Sequence, residues 1–144
     1  MRTEHFEFRG AQMIVHLRSV DTGGSYALIE MHHPPNVGPA LHVHPRGPEA
    51  FFVLEGEYLF FRGSETIPVT KGQSVAIPPG VAHRYVVGPE GGRALVITPP
   101  ELELYFARIA ERLQSAAVPW EEEFAVAAEF GQEFLDQTAH WTSR

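Results

Sequence analysis

Apolar residues fall along the first two thirds of the chain in short runs of four to eight positions, rich in Val, Ile, Phe and Tyr. Gln12 to Ser19, Tyr26 to His32, Ala50 to Leu54, Tyr58 to Arg62, Ser74 to Ile77, Arg84 to Val87 and Ala94 to Thr98 are such runs, and each predicts a β-strand. Between them lie turn signals: Asp21-Thr22-Gly23-Gly24, Asn36-Val37-Gly38-Pro39, Glu55-Gly56, Lys71-Gly72, Pro78-Pro79-Gly80 and Gly88 to Gly92. Seven or more short strands at this spacing predict an all-β sandwich or small barrel.

After Pro99-Pro100 the period lengthens from two to about 3.6. Leu102, Tyr105, Phe106, Ile109 and Leu113 then share one helical face. Glu101 and Glu103 precede Arg108 and Arg112, the order a helix dipole favours. A second helix is predicted from Pro119 to near Gly131, with the glycine as its C-terminal stop and Glu121-Glu122-Glu123 as a solvated first turn. The 144 residues suit one domain, 1–144, with a barrel over about 10–98 and a helical extension over about 100–144.

Composition narrows the chemistry. Hydrophobic residues make up 44% and charged residues 20%, as in an ordinary globular chain. The net charge is −7, and half of the 18 acidic residues but only three of the 11 basic ones lie after residue 98. Neither part has the basic face that nucleic acid or an anionic membrane surface requires, so neither is an expected partner. No apolar run approaches the roughly 18 residues of a membrane span, and MRTEHFEFRG lacks the apolar core of a signal peptide, which predicts a cytoplasmic protein. With no cysteine, any metal must be held by imidazole and carboxylate.

Candidates for that role cluster in two segments. In GPALHVHPRGPEAFFVLEG, His42 and His44 are two apart and share one face of an extended chain. Glu49 would face away on an unbroken strand, but Pro45-Arg46-Gly47-Pro48 interrupts it and lets the chain re-enter with Glu49 toward the histidines and Phe51 and Val53 on the same side. In GQSVAIPPGVAH, Gly80 turns the chain and His83 opens a strand whose same-face neighbours are Tyr85 and Val87. His32-His33 reads as a solvated strand end, and His5, His16 and His140 are isolated in sequence.

These two segments resemble the paired motifs of the cupin superfamily. His42, His44, Glu49 and Gly56 match the first, and Gly72, Pro78, Gly80 and His83 the second. Gly38 stands closer to His42 than the usual leading glycine, Val87 replaces the closing asparagine, and Gln73 stands where many relatives have aspartate. The resemblance implies a cupin double-stranded β-helix, a jelly-roll-like barrel, followed here by a C-terminal α-helical extension. The tail from Ala127 to Leu135 is similar to that of small single cupins grouped with quercetinase-like dioxygenases.

From the resemblance, His42, His44, Glu49 and His83 are expected to hold one divalent transition metal (Fe, Mn, Ni, Co, Cu or Zn). Three imidazoles and a carboxylate suit such an ion and leave positions open for a small-molecule substrate. Phe51, Val53, Tyr85 and Val87 are expected to line the substrate pocket, and Glu49 to accept a substrate proton. The activity so implied is that of a dioxygenase or related lyase on an enol, diketone or flavonol-like substrate. A non-catalytic binding module and an isomerase or epimerase of the same superfamily are the alternatives. A homodimer is expected, because a single cupin leaves sheet edges and apolar outer faces to cover.

Overall fold

The structure is a computed structural model and describes residues 3–142. Its elements are β1 (Glu4–Phe8), β2 (Ala11–Leu17), a 3-10 turn (Ser19–Thr22), β3 (Ala27–His33), β4 (His42–Val43), β5 (Glu49–Arg62), β6 (Glu65–Thr70), β7 (Ser74–Ile77), β8 (His83–Thr98), α1 (Leu102–Leu113), α2 (Trp120–Glu129) and β9 (Glu133–Phe134). The fold is mostly antiparallel β, with the expected helical extension. No helix among the described residues is long and apolar enough to cross a membrane.

Two long strands make the barrel. The first half of β5 pairs with β7 and with the second half of β8, which also pairs with β3; the second half of β5 pairs with β6 and with the first half of β8. Each strand therefore passes from one wall of the barrel to the other, and the register shifts at Val53/Glu55 and Gly56/Tyr58 mark the bend. The expected separate strands Ala50–Leu54 and Tyr58–Arg62 are thus one strand, as are Arg84–Val87 and Ala94–Thr98. The glycines read as turns absorb a bend instead. Gly56 has φ 84°, and a Cβ there would fall 2.3 Å from the Gly91 carbonyl oxygen, so only glycine lets the strands cross this closely.

Strands β1, β6 and β9 were not expected from the sequence. β6 carries Pro68, but it pairs only with β5 and so is an edge strand, where proline is tolerated. The walls enclose alternate residues of each strand, among them Val15, Ile29, Phe51, Phe60 and Val96, none more than 2% exposed. Each such side chain stabilises the fold by about 1.5–3 kcal/mol through burial. α1 presents its predicted face to β1, and Phe8 meets Tyr105 and Phe106 edge to face at 5.7 and 5.1 Å. Gly131, at φ 89°, follows α2 as the predicted stop.

Two polar residues are buried where the sequence reading placed them in solvent. Glu123 is fully enclosed, because Arg9 from the β1–β2 turn, Tyr105 from α1 and His140 from the C-terminal segment all donate to its carboxylate. Only Glu121 and Glu122 behave as a solvated turn. His33, at the end of β3, is buried between two phenols: its Nδ1 lies 2.6 Å from the Tyr58 hydroxyl and its Nε2 3.0 Å from the Tyr85 hydroxyl, while Trp141 stacks on the ring. His32, facing the other way, pairs with Glu30 at the surface.

Both corrections generate measurable expectations. Glu123→Ala leaves a buried tyrosine, a histidine and an arginine without their shared acceptor, and urea unfolding at pH 7 is expected to show a loss on the order of 3 kcal/mol. Burial, with a smaller effect of His32, pushes His33 down to about 3, so it stays neutral in the native state while the unfolded chain protonates near pH 6.5. Its contribution is intact above about pH 6.5 and is lost progressively toward pH 3. Between pH 6.5 and 4 the wild type is expected to lose about 3 kcal/mol more stability than His33→Gln, measured by denaturant melts across that range.

Candidate metal centre

Local chain geometry brings the four expected residues to one point. His42 on β4 pairs directly with His83, the first residue of β8. His44 follows β4, and its carbonyl accepts from the Gly80 N–H at 3.0 Å, which clips the Pro78-Pro79-Gly80 turn beside it. Glu49 opens β5 after the Pro45–Pro48 interruption and pairs with Ile77. Gly38 makes the approach possible: a Cβ there would stand 1.8 Å from the Tyr85 carbonyl oxygen.

All four side chains are buried, at 5% exposure or less. One donor atom from each lies within 4.8 Å of the others. Glu49 Oε1 is 3.2 Å from His83 Nε2 and 3.4 Å from His44 Nε2. The Nδ1 of His42 donates to the Ala40 carbonyl at 2.7 Å, and that of His83 to the Val81 carbonyl at 2.9 Å. Each bond turns the other ring nitrogen inward: that of His42 is free, and that of His83 faces Glu49 Oε1, the orientation a metal-binding imidazole needs.

His44 differs, since neither of its ring nitrogens has a hydrogen-bond partner although both are buried. Burial, with the rings of His83 and His44 adding, holds His42 well below the ordinary imidazole value and keeps it neutral. Burial also pushes the Glu49 carboxyl up, but His44 and His83 beside it outweigh that and hold it below the usual carboxylate range. Neutral His42 and ionised Glu49 are in the forms that bind a cation.

The residues fit a divalent ion by position as well. An ion about 2.1 Å from each donor requires donors no more than about 4.2 Å apart, so the present spacing closes with movements of a few tenths of an ångström. One of the two unpartnered ring nitrogens of His44 then gains a partner.

Beside these groups is a cavity of about 20 Å³, lined by Glu49, His42, Phe51 and Tyr85 among the expected residues. Val53 and Val87 share the parity of Phe51 and Tyr85 but sit deeper in the core and do not line it. Strand parity fixes the face a residue points to, not its depth along the strand. Met31, Phe106, Gln132 and Trp141 also line the cavity and were not read from the sequence. Gln132 and Trp141 arrive from the C-terminal segment, for which no local signal exists.

Residues 29–98, from within β3 to the end of β8, match the family described as the Cupin domain. None of the curated proteins matches the chain. Among solved structures, KdgF from Halomonas sp. superposes with a TM-score of 0.57 at 14% identity, over 72% of this chain and 91% of that one. An RmlC-like cupin from Shewanella frigidimarina gives 0.58 at 21%, over 72% and 89%. Pac13 of Streptomyces, described as a nucleoside dehydratase, gives 0.53 at 18%, over 71% and 80%. At these identities the likeness is one of fold. With the domain match over the barrel and the paired motifs meeting at its mouth, residues 29–98 are a cupin domain and the fold is that of a small cupin.

Proposed function

We propose that His42, His44, Glu49 and His83 hold one divalent first-row transition metal and that the protein is an enzyme of the dioxygenase or lyase type, acting on a small oxygen-bearing substrate. The observation that carries this reading is the convergence of four buried donor atoms, one from each of three histidines and a glutamate, with the ring nitrogens of His44 lacking any hydrogen-bond partner. A bound ion would supply Lewis acidity and open positions for substrate oxygen. Glu49 lines the cavity and faces the imidazoles, so its carboxylate reaches a substrate there and can take its proton. Phe51 and the other apolar walls keep water from the reacting atoms. A neighbour described as a dehydratase is a precedent for lyase chemistry on this fold. A cavity of about 20 Å³ has no room for a flavonol.

We also propose a homodimer formed through the outer face of the β3–β8–β5–β7 wall. There Leu28, Ile97, Ala50 and Ala76 form one cross-strand row, with Leu95 and Phe52 in the next. Phe52 and Ile97 are 45% and 44% exposed, and Glu30, Arg93 and Glu55 border them as an ion-paired edge. An apolar patch with a polar rim suits a second copy of the same surface.

Metal analysis of protein purified without added metal is expected to give one ion per chain, and alanine at His42, His44 or His83 to release most of it. Affinity should fall below about pH 6, as protons compete for imidazole. Oxygen-uptake and product assays against enols, diketones and flavonols test the activity. At matched metal content, Glu49→Gln is expected to lower turnover at least ~100-fold; a binding module would show ligand affinity that tracks metal occupancy alone. Light scattering at micromolar concentration is expected to give twice the chain mass of 16.0 kDa, and Phe52→Glu to give the single chain.

A further inference from the structure

The segment after α2 is bound to the stretch that carries His42. Phe134 pairs with His42 and Glu133 with Val43 in the β9–β4 ladder. The N–H of Leu135 donates to the Leu41 carbonyl at 2.8 Å, and that of Trp141 to the Gly38 carbonyl at 2.7 Å. The Ala40 N–H donates to His140 Nδ1 at 3.0 Å. From this segment two side chains reach the cavity beside the candidate ligands. Trp141 forms wall, stacked on His33 and edge-on to Phe8 and Tyr85. Gln132 is only 3% exposed and lines the cavity with its side-chain amide, a group with two N–H donors and one acceptor oxygen.

An amide that lines an enclosed cavity is placed to donate to an oxygen of whatever enters it. We propose that the C-terminal segment builds the ligand subsite of the metal centre: Gln132 donates a hydrogen bond to an oxygen of a small monoanion, a monocarboxylate or enolate, and Trp141 sets the size that can enter. This rests on the proposed metal centre. The class follows from charge and volume. Three neutral imidazoles and one carboxylate around a dication leave one positive charge, which a monoanion neutralises. No lysine or arginine lines the cavity, so a second negative charge would be buried without a counter-ion. A cavity of about 20 Å³ holds one or two water-sized groups, such as the oxygens of a carboxylate, and not a ring. Ring-sized ligands need Trp141 to leave its place.

The full chain loaded with cobalt(II) tests this through its visible absorption, independently of turnover, with acetate and benzoate as probes. In the wild type, acetate is expected to shift the spectrum and benzoate to leave it unchanged. Gln132→Leu, at unchanged cobalt content, is expected to weaken acetate about tenfold to a hundredfold, the loss of a hydrogen bond to a charged group. Trp141→Ala, or Trp141→Leu if the first variant is poorly folded, is expected to admit benzoate. Wild-type acetate affinity in Gln132→Leu overturns the role of the amide. Benzoate binding to the wild type as tight as that of acetate, or its exclusion from folded Trp141 variants, overturns the role of the tryptophan. Cobalt that fails to bind the wild type overturns the metal centre and this subsite with it, whereas cobalt bound at one per chain with unaltered variants overturns the subsite alone.

Discussion

Taking an imidazole out of water with both nitrogens unpaired costs several kcal/mol, and His44 is held in that state at the mouth of the barrel. Much of the surrounding structure serves to keep it there. The Gly80 turn is clipped to its carbonyl, the β4–β8 pair sets His42 and His83 side by side, and the Pro45–Pro48 interruption turns Glu49 toward it. A cluster of this kind opposes folding unless something enters it. The walls must therefore be stable without its help, and the long β5–β8 pairing with its enclosed apolar rows provides that stability.

The helical extension is joined to the same point through a chain of hydrogen bonds. Glu123 accepts from His140 Nε2, so His140 Nδ1 is free to accept from the Ala40 N–H, and the Ala40 carbonyl in turn accepts from His42 Nδ1. One buried carboxylate on α2 thus orients His140, which holds the backbone of Ala40, and Ala40 orients a candidate ligand. Arg9 and Tyr105 on the same carboxylate bring the β1–β2 turn and α1 into the arrangement. Packing of α1 on Phe8 is accordingly more than a cover for the core: it fixes the position of the acceptor on which the His140 link depends.

How much of this the sequence made legible depends on how local each signal is. The four candidate ligands were readable because their order, spacing and flanking glycines and prolines are set within two short segments. The strands β2, β3 and β7 were readable from alternation, and α1 from its 3.6 period. By contrast, β9 is two residues long and exists only because Phe134 meets His42 across 92 positions of chain. The burial of His33 is set by Tyr58 and Tyr85, 25 and 52 residues away, and adjacent histidines on a strand look alike until their opposite faces are known. Glu123 looked like its two acidic neighbours for the same reason: three consecutive charges carry no mark of which one a distant arginine will meet.

The replacement of the motif's closing asparagine by Val87 shows how the two kinds of information combine. Read alone, it removes a polar contact from the pocket and suggests a drier site. In the fold, Val87 is packed in the core away from the cavity, and a polar side chain enters from the opposite direction, as Gln132 from the C-terminal segment. Polarity at the site is therefore carried by a residue 49 positions from the last candidate ligand in sequence, on a segment held by backbone bonds to residues 38–43. A change in how that segment seats would alter the cavity and the peptide bonded to His42 together, which makes the tail part of the site's chemistry and not an appendage to the barrel.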